Sequence, residues 1–422
     1  MTRQRGEGTP AMRCLWLSRS LPFPQDSGDR IYSGQLARSL ALAGTEVDFV
    51  GHRAPGAEPP ADWPLRWHAI DGGCRPTWRA LASLQPLNGA IHDTAAYRRR
   101  LAEMLTWRWD AVVIDTYAMG WALDQVKRVT QQRARPPALV HISHNHEAAL
   151  WRGMAREFRG SPLRKLALWQ NALKVERIER RLAREVDLMS AITPEDARAF
   201  ALQAHAAPAI VLTPGYSGVQ ALPHPITAAT PRHVVLMGSF RWVVKQENLK
   251  ALVQRADAAF REHGITLDVV GDVPAELREQ LAGFASVRLH GFVDDVEPLF
   301  RNARMALVPE VIGGGFKLKF LDYVFGRMPV VTLNDAAAGV PAAVRDAMLG
   351  CADLDALVRT VVERIDDLPT LARLQRDALA AARTAFDWQD RGRALLRAVR
   401  ELGHPAAGTR ASFSEPAPRA SA

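Results

Sequence analysis

A chain of 422 residues is too long for one hydrophobic core and divides into two domains of about 150 to 200 residues each. Its 48% apolar and 23% charged residues are ordinary for a globular protein. No apolar run reaches the roughly 18 residues of a membrane span, and Arg13 and Arg19 leave no signal-peptide core between them. Cys14, Cys74 and Cys351 are odd in number and far apart, which excludes a disulfide framework and metal-ligand spacing and suits reduced thiols in the cytoplasm.

Residues 1–11 are polar and lack periodicity, so a disordered tail is expected there, with the folded chain beginning at Met12. A strand over 13–17, a loop over 22–30 containing Ser27-Gly28, and a helix over 31–43 follow. Further short apolar runs at 46–50, 111–114, 139–142, 188–191 and 210–212 read as strands with helical patterns between most of them. That alternation predicts a doubly wound parallel sheet. Nine of the eleven tryptophans precede residue 170, an excess that suits core packing, sugar stacking or lipid headgroups.

Ser143-His144-Asn145-His146-Glu147 follows the strand at 139–142, at the carboxyl end where open α/β sheets bind ligands. Asn145 is a candidate helix cap, and the two histidines have no third metal ligand nearby. Residues 163–182 predict a long helix with Leu168, Ala172, Val175, Ile178 and Leu182 along one stripe. From Arg152 to Arg184 the chain has ten basic and three acidic residues, a net of +7. A solvated face and docking on an anionic inner-leaflet surface through 164–184 both account for it. Nucleic acid is disfavoured, because no recognition signature accompanies the charge.

Prolines and glycines crowd residues 214–231, which reads as a linker. A second set of strands is expected at 233–237, 267–270, 287–290, 305–308 and 330–332. The last two bracket the most informative stretch, Met305 to Thr332. Between them Gly313-Gly314-Gly315 is expected to open a helix carrying Phe316, Phe320, Tyr323 and Val324 on one face and ending near Gly326. Glycines without Cβ atoms let a ligand approach the main chain, and the free N–H groups of a helix start form an anion cradle. Lys319 falls in the first turn, within reach of a bound phosphate. Asp322 follows at i+3, where a carboxylate can accept from two vicinal hydroxyls, and Lys317 is expected to be solvated.

This stretch resembles the nucleotide-sugar segment of retaining glycosyltransferases of family 4, which have the GT-B fold. The likeness is to the subgroup with Gly-Gly-Gly-x-x-Leu-Lys-x-Leu-Glu and a following Gly-x-Pro-Val-Val. It is carried by Gly313, Gly314, Gly315, Leu318, Lys319, Leu321, Asp322, Gly326, Pro329, Val330 and Val331. Many members have two glutamates eight positions apart. This chain has Gly314 and Asp322 there, the first usual for the subgroup and the second one methylene shorter.

The resemblance implies two Rossmann-like doubly wound domains facing across a cleft, an acceptor-side domain over 12–213 and a nucleotide-sugar domain over 232–386. A crossover helix at 387–402 would pack on the first domain, and an Ala-, Pro- and Ser-rich disordered tail over 403–422 would follow. It implies transfer of a sugar from a nucleoside-diphosphate sugar to an acceptor hydroxyl, that of a saccharide or lipid-linked glycan, with retention and without a metal or other cofactor. The implied reaction-centre residues are His144, Lys319, Lys245 and Arg241, the last two in the loop region beginning Gly238-Ser239-Phe240-Arg241-Trp242. Donor contacts would come from Ser27, Gly28, Phe292, Val293, Gly313, Gly314, Gly315 and Asp322, and acceptor-side contacts from Asn145 and Glu147.

Asp353-Leu354-Asp355 matches a metal motif of other glycosyltransferases, but its place before an apolar-periodic helix favours capping. Two rivals stay open: a non-catalytic nucleotide-sugar-binding protein, and another GT-B enzyme such as an epimerase or an inverting transferase. A dinucleotide oxidoreductase is disfavoured, since no Gly-x-Gly-x-x-Gly follows the first strand.

Overall fold

The computed structural model describes residues 11–158, 160–218, 220–241, 243–311 and 315–403. Most of the two expected tails lies outside these residues, as do Arg159, Trp242, Gly313 and Gly314. The chain forms two compact units, Met1–Leu212 with Gln389–Ala422, and Thr213–Trp388.

The first unit has seven strands: β1 (Met12–Ser20), β2 (Thr45–His52), β3 (Leu65–Ile70), β4 (Ala111–Asp115), β5 (Ala138–Ile142), β6 (Leu188–Ala191) and β7 (Ala209–Val211). They pair in parallel in the order β3-β2-β1-β4-β5-β6-β7. Cys14 to Leu17 in β1 are fully buried, as expected of a central strand with both faces covered. The strand order reverses between β1 and β4, so the chain leaves a crevice at their carboxyl ends.

The second unit repeats the design with β8 (His233–Met237), β9 (Thr266–Val270), β10 (Val287–Gly291), β11 (Met305–Val308), β12 (Val330–Leu333) and β13 (Leu349–Cys351). Their order is β10-β9-β8-β11-β12-β13, all parallel, and the reversal falls between β8 and β11. The expected doubly wound sheets are therefore present in both units.

Two strands are additions to the expectation, and both are edges. In β3 the apolar residues alternate with Arg66 and His68, which bond the buried Asp48 carboxylate of β2 at 3.2 and 2.6 Å. In β13 only Leu-Gly-Cys pairs, too short a run to register as a strand.

The helix Pro162–Glu185 buries Ala172, Val175, Glu179, Leu182 and Ala183. The last helix, Trp388–Gly403, runs over the first unit from Gln389 on. A Cβ on Gly392 would stand 2.2 Å from the Ser39 carbonyl oxygen, so glycine is what lets this helix touch the helix Gly28–Leu42. Among the described residues no helix is long and apolar enough to cross a membrane.

Candidate functional site

Each unit gathers polar chemistry at the carboxyl end of its strands, beside the point where the strand order reverses. In the first unit, β4 ends on Asp115, and the loop after β5 brings His144 to it, with Nε2 2.9 Å from Asp115 Oδ1. Asp115 is fully buried and accepts a second hydrogen bond from the Trp16 indole N–H in β1, 3.1 Å away. Burial raises the carboxyl pKa, but the His144 hydrogen bond and charge outweigh it and hold it below the ordinary value. Ser33 Oγ lies 3.5 Å from the same imidazole nitrogen, and the Tyr32 ring meets His144 edge-on. With Nε2 engaged, Nδ1 is the ring nitrogen left for a ligand.

The rest of that loop differs from expectation in one respect: Asn145 does not cap the following helix. Helix Glu147–Glu157 starts after His146, and the carboxylate of buried Glu179 accepts from the N–H groups of Glu147 and Ala148 at 2.8 and 3.0 Å. A carboxylate supplies two acceptors where an asparagine supplies one, so it satisfies two of the orphan donors. Burial still pushes the Glu179 carboxyl up to about 8. Asn145 instead donates to Glu147 Oε1 at 3.0 Å, and burial raises the Glu147 carboxyl.

Ser27 precedes the helix Gly28–Leu42 without a side-chain capping bond, and Gly28 opens that helix. Asp29 in its first turn pairs with Arg19 at the end of β1. His144 and His146 form no metal cluster, and none exists among the described residues.

In the second unit, β11 runs straight into Pro309-Glu310. Glu310 is buried and its Oε1 lies 2.5 Å from Lys319 Nζ, while its Oε2 has no hydrogen-bond partner. Lys245 lines the same small pocket with Leu236, Phe240, Asn248 and Pro309. Burial, then repulsion from Lys319, lowers the Lys245 pKa, with Glu310 opposing. Asn248 accepts from the Val311 N–H at 3.2 Å and fixes the chain leaving β11. The first turn after β8 is equally tight: Gly271, at φ +124°, would put a Cβ 1.8 Å from the Gly238 carbonyl oxygen.

The helix after the glycines is shorter than expected. It spans Lys319–Phe325, and Gly315 has φ +70°, a left-handed turn rather than a helical residue. Phe316 therefore packs on Phe320 and Phe386 from outside the helix, and Lys319 is its first residue. Lys317 is half-buried and donates to the Gly315 carbonyl at 2.9 Å, a correction to the solvated lysine expected.

Asp322 is half-buried, and its carboxylate has no hydrogen-bonded or ionic partner among the described residues; burial alone pushes its pKa up to about 6. Next to it, the Tyr323 hydroxyl accepts from the Met237 N–H at 2.7 Å, which ties this helix to the end of β8.

The structure thus brings together Lys245 and Lys319, with Asp322 on the same short helix. Arg241 does not join them: it is exposed and paired with Asp272. Phe292 and Val293 follow β10, the edge strand, with Phe292 exposed and Val293 packed on the core. Gly313 and Gly314 lie outside the described residues. Asp353 accepts from the Ala356 N–H at 2.7 Å, the capping expected of it. Sequence reasoning passed over Asp115 and Glu310. Both share one signal, the first acid at or just past the carboxyl end of a fully apolar strand run.

Residues 27–215 match the family model for a glycosyl transferase 4-like domain, and residues 231–367 match that for glycosyl transferases group 1. No curated protein matches the sequence. Among solved structures, sucrose-phosphate synthase from Thermosynechococcus elongatus superposes with a TM-score of 0.68 at 17% identity, over 94% of this chain and 100% of that one. Anabaena HepE, in complex with UDP and glucose, gives 0.61 at 14% identity over 92% and 100%. WaaG, a glycosyltransferase involved in lipopolysaccharide biosynthesis, gives 0.61 at 17% over 92% and 99%. The shared architecture is the GT-B fold.

Proposed function

The two matched domains make this chain a glycosyltransferase of the GT-B fold, and from that premise we propose that its second domain holds a nucleoside-diphosphate sugar for retaining transfer to a saccharide or lipid-linked glycan hydroxyl. The observation that carries the reading is the arrangement around Glu310. Lys319 pairs with one buried carboxylate beside the reversal of strand order, Lys245 lines the same small pocket, and an unpartnered Asp322 stands one turn along the helix that Lys319 starts.

A diphosphate would replace Glu310 as the partner of Lys319, with Lys245 in the same pocket adding its charge. Its negative charge grows as the glycosidic bond breaks, so cations already fixed at that place stabilise the transition state more than the ground state. Lysines supplying that charge are the reason for reading the transfer as metal-independent. Asp322 offers two acceptor oxygens three residues along the same helix, for the ribose hydroxyls beyond the phosphates. His144, oriented through Nε2 by Asp115, presents Nδ1 to a sugar hydroxyl. Asn145 and Glu147 beside it face the acceptor in this reading.

Thermal shift with nucleoside diphosphates tests donor binding, with uridine diphosphate tried first because a structural neighbour holds it. A ligand at 100 times its Kd stabilises by about 2.7 kcal/mol. A chain that none of the nucleoside diphosphates stabilises is not the transferase described here.

A further inference from the structure

The helix Pro162–Glu185 has two faces of different kinds. Its buried face packs on the first unit and presents Glu179 to the helix that follows His144. Its other face follows residues 163, 166, 173, 177, 180 and 184, one stripe at helical spacing. That stripe is leucine in its first half (Leu163, 79% exposed, with Leu166 and Leu173) and arginine in its second (Arg177, Arg180 and Arg184).

A second segment extends the leucine half. Lys174 Nζ lies 2.6 Å from the Ser83 carbonyl, and the Leu87 N–H donates to Asn171 Oδ1 at 2.8 Å, which lays residues 77–87 beside the helix. That segment exposes Trp78, Leu81 and Leu84, the last 87% exposed. Six of the fourteen exposed large apolar residues of the described chain thus fall on residues 77–87 and the outer stripe of Pro162–Glu185. Such clustering is what separates a patch from the single exposed leucines found on any protein.

The charges around the patch are of one sign. The helix has three acids, and each is engaged: Glu176 with Arg152 and Arg180, Glu179 as a cap, Glu185 with Lys127 and Arg181. Arg79 stacks over Trp78, and Arg75, Arg164, Lys165, Arg177 and Arg184 stand on or beside the apolar residues.

We propose that this face, formed by residues 77–87 and the outer stripe of Pro162–Glu185, docks on an anionic lipid surface, with Trp78, Leu81, Leu84, Leu163 and Leu166 entering the headgroup boundary and the arginines meeting the lipid phosphates. A protein partner with an apolar groove would satisfy the leucines. It would not call for a cationic surround with no free acid, which fits the negative potential of a phospholipid leaflet. The proposal stands independently of the transfer reaction. If the acceptor is lipid-linked, the same helix connects the docking face, through Glu179, to the loop that carries His144.

The test is cosedimentation of the full chain with vesicles of phosphatidylcholine alone or mixed with phosphatidylglycerol. Binding is expected to the anionic vesicles only, and to fall at least about tenfold as salt rises and the Debye length drops from about 10 to about 3 Å. Each of Arg177→Gln and Arg184→Gln is expected to lower partitioning about fivefold, the factor corresponding to about 1 kcal/mol per basic residue at an anionic surface. Leu163→Ser with Leu166→Ser is expected to lower it about tenfold or more while melting is unchanged, because both side chains are exposed. Equal binding to neutral vesicles, no binding to either, or full binding by the leucine variant overturns the proposal. So does a lipid-free dimer in sedimentation velocity that the leucine substitutions dissolve, which would make the face a contact between two copies.

Discussion

Lys319 Nζ lies 2.5 Å from Glu310 Oε1, both side chains nearly buried, and the other carboxylate oxygen of Glu310 meets no donor. We propose that this buried carboxylate, paired with Lys319 in a pocket that Lys245 also lines, occupies the place a diphosphate takes, so donor binding has to displace it from Lys319.

Glu310→Gln removes that internal anion and leaves Lys319 without its partner, in a pocket that Lys245 also lines. Breaking a buried ion pair from one side costs roughly 3 to 5 kcal/mol, so the variant is expected to melt lower than wild type. A nucleoside diphosphate should then stabilise it by a larger increment than it stabilises wild type, because the ligand restores the missing negative charge. Melting curves with and without nucleotide check this, and equal increments would mean that the phosphates bind away from Glu310.

Asp115 should act through His144 and only on the acceptor side. Asp115→Asn leaves one acceptor oxygen for two donors, Trp16 Nε1 and His144 Nε2, at a cost of about 1 to 3 kcal/mol for the one left unmade. The expected result is lower kcat/KM, with nucleotide affinity measured by titration unchanged, since the proposed nucleotide site belongs to the other unit. A parallel loss of nucleotide affinity would show a general folding defect instead.

Asp322 gives a pH signature. Its folded pKa is pushed up to about 6 by burial, against an ordinary value of 3.8 in the unfolded chain. The folded state therefore binds the proton more tightly, and stability falls as pH rises from about 4 to about 6, by up to about 3 kcal/mol. Asp322→Asn should be more stable than wild type at pH 7.5 and no more stable near pH 4. If ribose hydroxyls donate to the ionised carboxylate, nucleotide affinity of wild type also weakens as pH falls through 6, and the Asn variant lacks that dependence. A stability difference that ignores pH would place the charge elsewhere.

Both sheets were legible because central parallel strands are buried on two faces and read as unbroken apolar runs, as in β1, β8 and β11. The edge strands β3 and β13 were not, because one alternates with charged residues and the other pairs over three residues. In the site, Lys319 and Asp322 could be placed by spacing alone, since a helix fixes what stands three residues apart. The pairing of Asp115 with His144 depends on β4 and β5 becoming neighbours, and that of Glu310 with Lys319 on the loop after β11 folding back on the helix start, neither of which a local pattern shows. Arg241 shows the same limit in reverse. It sits in the expected loop, yet a nearby Asp272 takes its guanidinium. The start of the helix was misjudged by the glycine run, because a glycine that permits a helix start permits a left-handed turn equally well, as Gly315 does.

In the proposed reaction Lys319 serves the leaving diphosphate and Asp322 the ribose, which does not change during transfer. Donor titration of turnover in Lys319→Ala and Asp322→Ala, with nucleotide affinity measured separately, distinguishes the two roles. Lys319→Ala should lower kcat at saturating donor by about 10² to 10³-fold, the loss seen when one preorganised donor to a developing anion is removed. Asp322→Ala should raise the donor KM and the nucleotide Kd together while kcat changes far less, the mark of uniform binding. Full turnover in Lys319→Ala, or unaltered nucleotide affinity in Asp322→Ala, would contradict the assignment.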